Sequence, residues 1–311
     1  MAASTTESEG LQVATPRRRR RAALALWLVG LTLAGCNRQE REIVELINGA
    51  VVALESGNST QARGKLLRVQ ALDPSDPDAA YYLGSLALHD GDSDGAERLL
   101  MLSLARDPLR PAAHLDLARA RYARRDDKGA LQAVQGLLAL DPGHPDGHTL
   151  VGRIAARAGD RDSQDKALRA AIAGDAGHAA AYLLLSDLYS DVGANKAALD
   201  VLNEGLKFSP DDVGLQESLG IAWLGVGRPD RAAEVFAIAA QNPRADWTTH
   251  INHGAALVQI GDRAKAIDAL QRGLLMGRGR GDKAALEAAA RIVLKLRRGQ
   301  KADAPDKKGG A

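Results

Sequence analysis

The residues that could do chemistry are few and scattered. Seven histidines invite a search for a metal centre. His144 and His148 stand four apart, but Pro145 between them begins a new helix. His250 and His253 stand three apart on one helix, with no carboxylate or third imidazole at ligand spacing beside them. Packing accounts for these rings better than metal binding does. The run Gly277-Arg278-Gly279-Arg280-Gly281-Asp282-Lys283 has the composition of a phosphate cradle. Such loops follow a β-strand, and none is predicted here, so the run reads as a flexible joint. There is no nucleophile elbow and no paired catalytic carboxylate motif. The sequence therefore points to no catalytic residue, no metal site, no cofactor and no small-molecule substrate, which is the pattern of a non-enzyme.

Composition narrows the elements that could position any site. Apolar residues are 45% of the 311-residue chain but aromatics only 3%. Alanine, leucine and glycine carry the apolar fraction, which suits helices packed through small side chains better than a sheet. Cys36 is the only cysteine, so an internal disulfide and a cysteine-based metal site are both excluded. Arg17–Arg21 form a basic block, followed by an apolar run from Ala22 to Ala34. Thirteen residues are too few to span a bilayer comfortably, and the order basic, apolar, small is that of a secretory signal. Leu33-Ala34-Gly35-Cys36 resembles the lipobox of bacterial lipoprotein precursors. That resemblance implies a signal peptide over 1–35, lipidation of Cys36, and a short tether over 36–42. Asn37 after the cysteine, by the same resemblance, implies the outer membrane, with the body of the chain in the periplasm. Cleavage before Cys36 leaves 36 basic and 37 acidic residues, a balance that calls for no nucleic acid.

The rest of the chain repeats. Pro74, Pro108 and Pro142 are spaced by 34, and Pro210 lies two periods further on. A 34-residue frame from Ile43 puts Ala50, Gly84, Ala118, Gly152, Ser186, Gly220 and Gly254 at the eighth position. The fifteenth is glycine six times in seven, with Arg125 the exception. The twentieth is alanine six times in seven, with Gln164 the exception. The twenty-fourth is Leu66, Leu100, Val134, Leu168, Leu202, Phe236 and Leu270. This pattern resembles the tetratricopeptide repeat (TPR) family. It implies an all-α fold, a right-handed α-solenoid of about seven TPR helical hairpins with a C-terminal closing helix. The repeats are 43–76, 77–110, 111–144, 145–178, 179–212, 213–246 and 247–280, the closing helix 283–298 and a disordered tail 299–311.

The physical reasons follow from side-chain size. Small residues at positions eight and twenty are expected to face each other where the two helices of a hairpin cross. Glycine at fifteen supplies the left-handed residue that ends the first helix. Proline near the end stops the second. Repeat one, which lacks several core residues, is expected to be the opening cap. Repeat four, with Gln164 at the alanine slot and Ala176 at the proline slot, is expected to be looser. His114, His148 and His250 share the fourth position and read as substitutes for an aromatic packing residue.

In this family the first helices line an inner groove, with positions two, five, nine and twelve pointing into it. The resemblance therefore implies a partner-binding groove. Repeat one supplies an apolar end, with Val44, Ile47, Val51 and Leu54. The polar middle contains Tyr81, Leu115, Arg119, Tyr122, Arg153, Asp187 and Glu217. Arg119 and Arg153 occupy equivalent slots, with the tyrosines beside them. Such a groove would hold an extended or helical segment bearing a carboxylate, and Asp187 and Glu217 would favour a basic residue on the same segment. The lysines and asparagines that clamp chaperone C-termini in part of this family are absent from the ninth positions. The expected function is a lipid-anchored scaffold at the bacterial envelope, serving pilus, secretion or exopolysaccharide-export assemblies. Type IV pilus assembly lipoproteins share this general plan. A docking regulator of peptidoglycan enzymes, and an accessory subunit of an envelope enzyme complex, are the alternatives.

Overall fold

The computed structural model describes residues 38–279 and 281–299. Cys36, the leader before it and residues 300–311 lie outside the described residues. Fifteen α-helices and no strand are found among the described residues. They divide into two units at Pro74/Ser75.

The first unit is one antiparallel hairpin, α1 (Arg38–Glu55) and α2 (Ser59–Leu72). Its start corrects the expected tether, because residues 38–42 are already helical. Two ties hold them. Gln39 Nε2 donates to the Leu72 carbonyl at 2.9 Å, and Arg68 pairs with Glu42 at 3.2 Å.

The second unit contains six hairpins and a closing helix. The first helices of the hairpins are α3 (Pro77–His89), α5 (Pro111–Ala123), α7 (Pro145–Ala158), α9 (Ala179–Asp191), α11 (Val213–Gly225) and α13 (Trp247–Ile260). Their partners are α4 (Ser93–Arg106), α6 (Asp127–Leu140), α8 (Arg161–Gly174), α10 (Asn195–Phe208), α12 (Pro229–Ala239) and α14 (Arg263–Met276). Helix α15 (Lys283–Arg297) packs on α14. Its Ala289, Ile292, Val293 and Leu296 join the core of the last repeat.

Local chemistry explains the starts and stops. Pro77, Pro111 and Pro145 occupy first-turn positions, where a missing N–H costs nothing. Asp92, Asp126, Asp160 and Asp262 each cap a second helix by accepting from the N–H three residues on, at 2.8–3.2 Å. Sequence reading missed this recurring cap. At the fifteenth slot the six glycines have φ of 74–84°, and Arg125 adopts the same left-handed backbone at φ 64°. That conformation is costly for a residue with a Cβ. Arg125→Gly should therefore stabilise the fold by about 0.5–1 kcal/mol, read as a thermal midpoint higher by roughly 1–4 °C. An unchanged or lower midpoint would show that the arginine side chain compensates for its backbone.

The nearest neighbour of each eighth-position glycine is the side chain at position twenty-four, and at Gly152 the twentieth residue also meets it, the Gln164 carbonyl oxygen lying 3.7 Å from a would-be Cβ. A Cβ on Gly84, Gly152, Gly220 or Gly254 would come within 2.5–2.9 Å of Leu100, Leu168, Phe236 or Leu270 respectively. The large side chain at twenty-four reaches across and lies on the bare backbone of position eight. Alanines at twenty are fully buried.

Repeat four is as regular as its neighbours. Its helices are 14 residues each, matching α6. The turn after α8 closes without proline, because Asp175 supplies what is needed. Gly177 N–H donates to its side chain at 2.9 Å, and His178 N–H to its carbonyl at 3.0 Å. Asp141 makes the same two bonds one repeat earlier. The fourth-position histidines also do more than pack. His114 Nε2 donates to the Pro108 carbonyl at 3.0 Å and His148 Nε2 to the Pro142 carbonyl at 2.8 Å. Gln216, at the same slot, donates to the Pro210 carbonyl at 2.7 Å. Each ties a first helix to the turn that precedes it. His250 is buried without such a bond, as a packing residue would be.

Within the second unit each first helix touches the first helix of the next repeat, whereas second helices touch their successors little or not at all. The first helices therefore form the inner layer, and their exposed side chains make one continuous face. No helix among the described residues is long and apolar enough to cross a membrane.

Candidate protein-binding face

A chain of polar contacts runs across this face from repeat two to the end of repeat four. Tyr81 on α3 lies under the Arg110 guanidinium, 5.1 Å from ring centroid to Cζ. Burial first, then the charges of Asp116 and Tyr82, push its hydroxyl up to about 12, so it stays neutral. Asp116 on α5 is buried and pairs with Arg119 at 3.3 Å. Arg119 crosses to Asp146 on α7 at 3.1 Å. Asp146 lies 3.7 Å from His178 Nε2, which sits 2.9 Å from the Thr149 hydroxyl.

This chain separates the two arginines that sequence spacing made equivalent. Arg119 is engaged by two carboxylates, and no recognition charge is left over. Arg153 is exposed, and no carboxylate among the described residues lies within ion-pair distance of it. The cause is the neighbouring repeat. Position two of repeat four is Asp146, which reaches Arg119, while position two of repeat five is Ala180.

Arg153 opens onto a pocket of about 400 Å³, lined also by Tyr122, Gly152, Ala156, Arg157, Gln164 and Leu184. Arg157 is built into one wall. Its guanidinium stacks 3.6 Å from the Tyr122 ring centroid, donates to the Tyr122 carbonyl at 3.1 Å, and pairs with Asp127 at 2.6 Å. It is structural, joining repeats three and four. Arg153 is thus the free cation of the pocket.

The other expected groove residues fall into place unequally. Leu115 is buried at 7% exposure, a correction to its expected place on the surface. An aliphatic residue in a layer where successive helices touch is covered by them. Asp187 is solvent-accessible, yet loss of solvation between neighbouring helices and the charge of Asp191 raise its pKa. Glu217 accepts a short hydrogen bond from the Thr249 hydroxyl. Burial, the larger effect, raises its pKa, and Asp246 adds to that. These two carboxylates lie beyond the pocket along the same layer, in repeats five and six. In the first unit, Val44 is exposed and Ile47, Val51 and Leu54 are half-buried. The sequence reading missed Gln164, Arg157 and Leu184 as pocket residues. Gln164 was visible as a break in the alanine column, and that break was the available signal.

A layered stack of helical hairpins with a continuous side-chain face defines a class: repeat proteins that work by offering surface. The profile of the tetratricopeptide repeat matches residues 47–105 and 103–145. The same kind of helical hairpin recurs beyond that match to residue 276. No curated protein matches the sequence. Among solved structures, a tetratricopeptide repeat protein from Parabacteroides merdae is similar at 15% identity and TM-score 0.57, covering 83% of this chain and 99% of that one. Pseudomonas aeruginosa PilF is similar at 16% identity and TM-score 0.55, covering 69% and 96%. A chain of the APC/C hetero-tetramer Cut9–Hcn1 is similar at 17% identity and TM-score 0.51, covering 90% and 53%. At such identities these likenesses speak for the fold alone, an all-α solenoid of helical hairpins.

Proposed function

We propose that this chain is a lipid-anchored scaffold of the bacterial envelope that holds segments of partner proteins on its first-helix face. The observation that carries the binding half is Arg153, an unpaired guanidinium at the mouth of a pocket on a continuous face. An isolated exposed cation beside a tyrosine and a leucine favours an acidic side chain carried on a protein segment. The acidic stretch in repeats five and six favours a basic residue elsewhere on that segment. Anchoring at Cys36 would concentrate the face near membrane-bound partners such as pilus, secretion or polysaccharide-export components. Support for the anchor is the sequence Leu33-Ala34-Gly35-Cys36 after an apolar run.

In-cell crosslinking followed by affinity capture tests the face. Arg153→Glu should reduce the recovered partner at least ten-fold, because it replaces attraction by repulsion at one buried contact. Lys196→Glu, an exposed cation on the second helix α10, should leave recovery unchanged. Equal recovery from all three proteins would remove the face from consideration. Incorporation of labelled palmitate, lost in Cys36→Ala, tests the anchor separately.

A further inference from the structure

Charge is divided unevenly along the chain. Residues 38–262 carry 23 lysines and arginines against 32 aspartates and glutamates, while residues 263–299 carry ten against three. An asymmetry of that size marks one end of a chain for an anionic partner. Much of the excess lies on α15. Lys283, Glu287, Arg291, Leu294, Lys295 and Arg298 recur at spacings of one, three and four, which places them on one side of the helix, and all six are exposed. On the opposite side Ala289, Ile292, Val293 and Leu296 hold the helix to the last repeat. Lys265 pairs with Asp262 and Arg272 with Asp268, but the four cations of the exposed side make no ion pair with a described residue.

The last helix of a repeat array needs a polar outer side for solubility, and mixed charge would supply it. Two features go beyond that need. The charge is mostly of one sign and unpaired. Leu294 stands 52% exposed among it, with Arg291 three residues before, Lys295 next and Arg298 four after. The segment leading into the helix adds Leu275, 72% exposed, and exposed Arg278. Long cationic side chains around single protruding leucines suit a surface that is anionic outside and apolar just beneath. Each Lys or Arg near such a surface strengthens binding by roughly five-fold. A leucine that reaches past the headgroups adds apolar burial. We infer that the exposed side of α15 is a docking surface for an anionic phospholipid bilayer. The acidic repeats of a second copy would also attract these cations, but they would have to cover Leu294 with a shaped apolar recess, and a bilayer needs none. The inference depends neither on the Cys36 anchor nor on the Arg153 face.

The test uses the full chain carrying Cys36→Ala, which removes the acylation site and every native thiol. Ala284→Cys, on the exposed side of α15, then takes a polarity-sensitive dye, and Ser163→Cys on α8 takes it in a control. The leader is common to all samples, so the dye reports contact at its own residue. Vesicles of phosphatidylglycerol mixed with phosphatidylcholine should shift the emission of the dye at 284 to the blue, and vesicles of phosphatidylcholine alone should not. The shift should disappear when salt is raised from about 0.1 M to about 1 M. At fixed lipid, Arg291→Gln with Lys295→Gln and Arg298→Gln should reduce it at least five-fold. Leu294→Ser, which leaves every charge in place, should also reduce it. The dye at 163 should not respond. Equal shifts with both vesicles, an equal shift at 163, or a shift that the triple variant keeps would each overturn the inference. So would a dye at 284 that stays silent on anionic vesicles. A shift that appears without vesicles as protein concentration rises would make a second copy the occupant and overturn the lipid assignment.

Discussion

Gly174→Ala should lower the thermal midpoint of the protein by roughly 6–12 °C, even though residue 174 is exposed to solvent. Gly174 is the last residue of α8, and its Cα faces the turn of the preceding repeat. A methyl group there would lie 1.9 Å from the Gly143 carbonyl oxygen and 3.0 Å from the Gly143 carbonyl carbon. Backbone cannot rotate away as a side chain can. The turn or the helix end must move instead, at a cost of about 3 kcal/mol, the upper end of ordinary overpacking. Gly225→Ala is the matched control. Gly225 also ends a helix and is exposed, but nothing lies within 4 Å of its would-be Cβ. There alanine should stabilise slightly, by up to about 1 kcal/mol, through its better helix propensity. Circular dichroism melts of the two variants should therefore move in opposite directions. Movement in the same direction would show that Gly143 and Gly174 are not held backbone to backbone.

That pair of glycines marks a limit on what a sequence discloses. Glycine at the fifteenth slot was legible because six of seven repeats share it, and its meaning, a left-handed residue, depends only on local backbone. Gly143 and Gly174 sit at different slots in successive repeats, so no column of the repeat exposes them. The same distinction explains the site. Position nine identified Arg119 and Arg153 as equivalent, since a 34-residue period fixes where a Cα stands. It did not identify the carboxylates each one meets, because those come from position six of the same helix and position two of the next repeat. Asp116 and Asp146 engage Arg119 at 3.3 and 3.1 Å, and repeat five provides no counterpart for Arg153. Gln164 shows the reverse case. The sequence marked it as a departure, and looseness of repeat four was the expected consequence. The structure keeps the helices of that repeat regular and places the amide in a pocket. Departures from a repeat thus identify where to look more securely than they identify what will be found.

Phe236→Ala tests the contact that four of the hairpins share, and should cost about 3–5 kcal/mol. Phe236 is fully buried, and its ring lies against the bare backbone of Gly220. Truncation leaves a cavity whose opposite wall has no side chain to relax into it. In a repeat array the loss should stay local, because each repeat is stabilised by its neighbours rather than by one shared core. Amide exchange in α11, α12 and α13 should speed up by about 10²–10³-fold or more, while α3 to α6 keep wild-type protection. A second substitution then reports on the contact itself. In the wild-type chain, Gly220→Ala sets a methyl 2.6 Å from two ring carbons of Phe236 and should destabilise by about 1–3 kcal/mol. In the Phe236→Ala background the same methyl enters the cavity and improves helix propensity, so its effect should change sign. Coupling of that kind arises only between groups in contact. Equal destabilisation by Gly220→Ala in both backgrounds would mean that positions eight and twenty-four do not meet, and the hairpin geometry of the four repeats with glycine at position eight would have to be redrawn.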